Sequence, residues 1–125
     1  MAVRTGLSSS VSLKVTDADT AIAARPGDVP VLSSPRIIAL MEQAAVAALD
    51  GELPEGQTSV GVQVQVEHIS PTAVGCDVTA EASLERVVGH RLQFTVSARD
   101  ERGLVAAGKV TRVAVDRERF LDKAR

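Results

Sequence analysis

The chain has 125 residues, a formal charge of −2, two Phe, no Trp and no Tyr. That length is one domain, residues 1–125, with room for one modest core. The missing basic excess and missing aromatic residues argue against nucleic-acid partners, which need phosphate-neutralising cations and stacking platforms.

Hydrophobic content of 45% and charged content of 24% fit a globular protein rather than a disordered one. No run of 18 apolar residues exists, so no membrane partner is expected. The start, MAVRTGLSSS, lacks an apolar stretch of signal length. One cysteine, Cys76, cannot form an internal disulfide, and the cytoplasm is the expected location. No metal site is expected.

Leu7 to Thr16 alternates Val11, Leu13 and Val15 with Ser12, Lys14 and Thr16, which predicts a half-buried strand. Asp17 to Leu32, with Pro26, Gly27, Asp28 and Pro30, has no period and reads as a long loop, either a lid or binding loop or a plain surface excursion. Ser33-Ser34-Pro35 then supplies helix-start chemistry and Asp50-Gly51 a stop. Between them, RIIALMEQAAVAALD predicts a helix with one wet stripe, Arg36, Gln43 and Asp50. Glu42 interrupts its apolar face. A buried carboxylate needs a partner or a task, because desolvation of the lone charge is costly.

Val60, Val62, Val64, Val66 and His68 alternate with Gly61, Gln63, Gln65 and Glu67, a period of two that ends a core-facing valine row in a histidine. An acid on the helix and an imidazole on the covering strand are thereby positioned to meet. Cys76, Val78, Ala80, Ala82 and Leu84 form the apolar row of the next strand, with Cys76 as a small hydrophobe rather than a nucleophile. A turn at Gly89 leaves His90 solvated. Leu92, Phe94, Val96 and Ala98 form the apolar row of the strand that follows. Asp100 to Gly103 turns into a last strand over Leu104–Val115, with a bulge expected near Gly108. The tail, DRERFLDKAR, reads as a short helix that Phe120 holds down.

One apolar helix followed by four antiparallel strands, with a fifth strand ahead of it, makes an α+β domain: a central helix wrapped by a curved antiparallel five-stranded sheet. An edge strand with valines on one face predicts a homodimer, open to further pairing into a tetramer.

The segments Val31–Leu49, Val60–Gly75, Val87–Asp100 and Gly108–Arg112 resemble the hotdog-fold thioesterase superfamily, in its fluoroacetyl-CoA thioesterase-like branch. The resemblance implies hydrolysis of a small or short-chain acyl thioester carried on coenzyme A or on a protein-borne pantetheine. The coenzyme A thioester would be substrate, with no separate cofactor. It implies Glu42, His68 and Ser34 as catalytic residues, the serine standing where the best-known members have threonine. Gly61 and Arg112 are implied to be substrate-facing. Ser34 would orient Glu42 or cap the helix. Arg86, Arg91, Arg99 and Arg102 are available for coenzyme A phosphates. The alternative is a non-catalytic acyl-CoA or small-ligand binding protein of the same fold. The lid and helix contain no aromatic residue, so no aromatic gate is expected in the acyl pocket.

Overall fold

A computed structural model describes residues 3–25 and 27–125; the loop reading at Pro26 and the first two residues of the N-terminal reading lie outside them. The strands are β1 (Ser8–Lys14), β2 (Gln57–His68), β3 (Asp77–Val88), β4 (Arg91–Asp100) and β5 (Gly103–Asp116). The helices are α1 (Ala21–Ala24), α2 (Ser34–Ala48) and α3 (Arg117–Lys123). All strand pairs are antiparallel, in the order β1-β3-β4-β5-β2. This is the five-stranded sheet and central helix expected from the element order.

α2 forms because its residues favour helix and its first turn is satisfied. Ser33, not Ser34, is the N-cap: its Oγ accepts from the Arg36 N–H at 3.2 Å. Ser34 and Pro35 are the first two helical residues. Ile37, Leu40, Met41, Ala44, Ala45 and Ala48 are buried against Val78, Ala80, Ala82 and Leu84 of β3, and Leu92, Phe94, Val96 and Ala98 of β4, in the single core cluster. The wet face is broader than the predicted stripe and includes Ala39 and Val46.

The segment from 17 to 32 is more ordered than a long loop. Thr16 and Asp19 form a capping box over a 3-10 turn at Asp17–Asp19, and the Thr20 hydroxyl caps α1. Ser33 N–H donates to the Asp19 carbonyl and Leu32 N–H to the Thr72 carbonyl, both at 2.9 Å. The Arg36 Nε donates to Asp19 Oδ1 at 3.0 Å. The candidate lid is therefore fastened to the start of α2.

β2 departs from simple alternation. A bulge between Gly61 and Gln63 shifts its register against β5, so Gly61 faces α2 while Val64, Val66 and His68 recover the inner face. Val62 and Val64 remain 49% and 40% exposed, because β2 is an edge strand. Gly108 is not the site of a bulge. It is the point where β2 crosses closely, and a Cβ there would collide with the Gln65 carbonyl. Cys76 precedes β3 and is half-buried rather than part of the strand's core row. The tail forms α3, but Phe120 stays exposed instead of pinning it. No helix is long and apolar enough to cross a membrane among the described residues.

Candidate active site

Two groups of predicted site residues form, one at the start of α2 and one at its middle. In the first, the start of α2 brings Ser34 to the end of β2. Ser34 Oγ lies 2.8 Å from His68 Nδ1. His68 Nε2 is buried without a hydrogen-bond partner. The imidazole pKa lies below its ordinary value of 6.5, chiefly because burial disfavours the cation, with the Ser70 backbone opposing that shift. His68 is thus a neutral imidazole at pH 7, with one nitrogen fixed by a hydroxyl and the other uncommitted. The Ser34 hydroxyl neither caps the helix nor touches Glu42, because Ser33 takes the capping role and leaves Ser34 free.

His68 and Ser34 border a cavity of about 270 Å³, walled by Val29, Val31, Leu32 and Ile69. Ala21 of α1 also lines it. No aromatic residue lines it.

The second group surrounds Glu42, two helical turns further on. Arg112 Nη1 donates to Glu42 Oε1 at 3.1 Å. The same guanidinium donates through Nε to Ser59 Oγ and through Nη2 to the Ser59 carbonyl, both at 2.9 Å. Burial lowers the Arg112 pKa from its ordinary value and Glu42 opposes this. Arg112 is the more enclosed partner, with 10% of its side chain exposed against 31% for Glu42. Gly61 makes the pairing possible: a Cβ there would lie 2.5 Å from Glu42 Oε1 and 3.4 Å from Arg112 Nη1.

Ser34 and Glu42 are eight residues apart on α2, which is about 12 Å along its axis. The acid and the imidazole therefore do not meet within one chain, contrary to the expectation from their shared apolar setting. Sequence reasoning missed Ser59. A serine at the start of a valine strand carries no signal of its own; its role depends on Arg112 lying across the sheet. Among the described residues no group of three His, Cys, Asp or Glu side chains is arranged to hold a metal.

Comparison with known proteins agrees on one relationship. The family described as fluoroacetyl-CoA-specific thioesterase matches residues 15–118. A fluoroacetyl-CoA thioesterase from Streptantibioticus cattleyicolor is 36% identical over 89 residues, 71% of this chain; the match spans 64% of that relative's length. A solved fluoroacetyl-CoA thioesterase structure superposes with a TM-score of 0.91 at 29% identity, covering 98% of this chain and 96% of the other. A hot-dog-like protein from Thermanaerovibrio acidaminovorans gives 0.88 at 32% identity, covering 96% and 89%. A thioesterase superfamily member from Thermus thermophilus, at 23% identity and covering 98% and 91%, shares the fold with a TM-score of 0.90. The five-stranded sheet around α2 is the hotdog fold, and the chain belongs to the fluoroacetyl-CoA-specific thioesterase family.

Proposed function

We propose that the protein hydrolyses small acyl thioesters of coenzyme A, as a homodimer in which each site takes Ser34 and His68 from one protomer and Glu42 from the other. The observation that carries this reading is the Ser34–His68 hydrogen bond beside an apolar cavity, with His68 Nε2 buried and unpartnered. An imidazole held neutral and fixed at one nitrogen is suited to move a proton at the other.

Glu42 supplies the nucleophile or the general base. Its carboxylate either attacks the thioester carbonyl or takes a proton from the attacking water. Arg112 holds it in place, and Gly61 leaves it room. His68 relays to the departing thiolate the proton given up by the attacking water, and so returns to its neutral form. Backbone N–H groups near Gly61 are candidates for the developing oxyanion.

Homodimerisation explains how groups about 12 Å apart in one chain cooperate. β2 is an edge strand, and Gly61 to Gln65 is exposed throughout. Antiparallel pairing of this run with a second copy sets the His68 end of one β2 beside the Gly61 half of the other. Glu42 of the partner subunit then approaches Ser34 and His68. Pairing of dimers into tetramers is compatible with the remaining faces.

The cavity has a volume of about 270 Å³. Its aliphatic wall suits a short hydrocarbon acyl group. No cofactor beyond the coenzyme A thioester is required, and a single half-buried cysteine fits a cytoplasmic location. A panel of acyl-CoA and acyl-pantetheine esters, assayed for free thiol with wild type and Glu42→Ala, tests the reading. Thiol release lost in the variant supports it. Tight acyl-CoA binding without release, unaffected by Glu42→Gln, would instead make the protein a carrier with a structural Glu42–Arg112 pair.

A further inference from the structure

Arg36 falls on the wet stripe that the sequence gives α2, yet the structure assigns it a partner. It is the third residue of the helix, and the first turn holds no acidic residue. A cation there opposes the helix dipole, so helix stability does not account for it. Its Nε donates to Asp19 Oδ1 at 3.0 Å, with 30% of the arginine side chain and 12% of the aspartate side chain exposed. The other carboxylate oxygen, Oδ2, accepts from the Thr16 N–H at 2.7 Å and from the Thr16 hydroxyl at 2.9 Å. Asp19 is thereby held on one side by the chain leaving β1 and on the other by α2.

The same two residues enclose Ser33. Its N–H donates to the Asp19 carbonyl at 2.9 Å, and its Oγ accepts from the Arg36 N–H at 3.2 Å. Ser34, whose hydroxyl meets His68 Nδ1, comes next in the chain. Between Asp19 and Ser33 the chain supplies Ala21, Val29, Val31 and Leu32 to the cavity that His68 borders. Ala21 N–H donates to the Val31 carbonyl at 2.8 Å, and Thr20 bridges to Leu32, so the two ends of this wall are joined. The Asp19–Arg36 ion pair is the side-chain tie between that wall and the helix carrying Ser34.

We propose that Asp19 and Arg36 are a positioning pair that fixes both the aim of Ser34 and the width of the acyl cavity, and so selects short acyl groups. The inference rests on the thioester-hydrolase reading above. Neither side chain borders the cavity, so both act through the residues they hold. With the pair intact, Ser34 points at His68, and Ala21, Val31 and Leu32 keep their distance from His68 and Ile69. Neutralising either member leaves the other half-buried without its partner. The wall and the first turn of α2 then separate, longer hydrocarbon chains enter, and His68 loses its hydroxyl.

Arg36→Gln, Asp19→Asn and the double variant, assayed with acetyl-CoA and octanoyl-CoA, test this. Asparagine keeps an oxygen for Thr16 and glutamine is a good helix former, so circular dichroism should show an unchanged fold. Each single variant is expected to lower kcat for acetyl-CoA about fivefold, the worth of one hydrogen bond. Each should also move the ratio of kcat/KM values at least tenfold toward octanoyl-CoA. The double variant should be no worse than either single one. Arg36→Gln should have no further effect on kcat in a Ser34→Ala background. Arg36→Lys should restore most of the acetyl preference, because the contact is one bond and not a fork. An equal loss with both substrates, or losses that add to that of Ser34→Ala, overturns the proposal. Should wild type cleave no thioester, the hydrolase reading fails, and hydrogen exchange with NMR titration decides the positioning role. In the single variants the Ala21, Leu32 and Ser33 amides should exchange at least tenfold faster, and the His68 titration should rise toward 6.5 as water reaches the ring. Either one unchanged overturns it.

Discussion

Arg112 and Glu42 are 70 positions apart in sequence, yet Nη1 and Oε1 lie 3.1 Å apart, with Gly61 filling the space where any larger residue would intrude. The guanidinium is held by Ser59 through two further bonds. Glu42 is thus a fixed, charge-paired carboxylate on an otherwise apolar helix face.

Removal of that carboxylate should abolish turnover. Glu42→Ala and Glu42→Gln are expected to lower kcat by about 10²–10⁴-fold, the usual worth of a positioned acid–base group. Thiol release from acyl-CoA measures it. Thermal melting should show a folded protein in both variants.

Gly61→Ala tests the same region through space alone. Gly61 does not have a positive φ, so alanine suits its backbone, but the new Cβ meets Glu42 Oε1 at 2.5 Å. Displacement of the carboxylate should lower kcat/KM at least tenfold. The overpacking should cost about 1–3 kcal/mol, read by urea denaturation. Unchanged kinetics would mean that Glu42 has no fixed role at this position.

Arg112→Ala should be more damaging to stability than Arg112→Lys. It leaves Glu42 and the Ser59 carbonyl without their donor, at a cost of about 2–4 kcal/mol. Lysine restores the charge but not the three-bond fork, so partial recovery is expected. Denaturant midpoints of the two variants provide the comparison.

His68 sets the pH dependence. Its folded pKa lies below 6.5, so between that value and 6.5 the unfolded chain binds more protons than the folded one. Stability is therefore unaffected by His68 above pH 6.5, declines as pH falls through this window, and levels off below the folded pKa. The acid limb of kcat/KM should likewise inflect below 6.5. NMR titration of the imidazole in wild type, with His68→Gln as the melting control, checks both statements. An inflection above 6.5 would contradict them.

Ser34→Ala should lower kcat about tenfold by freeing the ring, the worth of one hydrogen bond in the site. Ser34→Thr retains the hydroxyl and should keep most of the activity. Steady-state kinetics with one acyl-CoA substrate decides between them.

Much of this protein is local in origin. The bounds of α2 follow from a serine cap, a proline in the first turn and a run of good helix formers. The inner rows of β3 and β4 follow from strict alternation. Glu42 and His68 stand out because each interrupts an apolar pattern. The family resemblance added Ser34, Gly61 and Arg112 as site residues.

Long-range geometry decided the rest. A bulge at Gly61–Gln63 adds a residue to one strand without any compositional trace, so alternation carried past it assigns Gly61 to the wrong face. Two adjacent serines are equivalent as caps until the chain path gives Ser33 to the helix and Ser34 to His68, 34 positions away. The same path separates His68 from Glu42 along a rigid helix and gives the acid to Arg112. It also leaves Phe120 beside Gln57 rather than in the core. Sequence periodicity identifies which side chains face inward, whereas their partners are chosen by strand register and helix rise, which couple residues far apart in the chain.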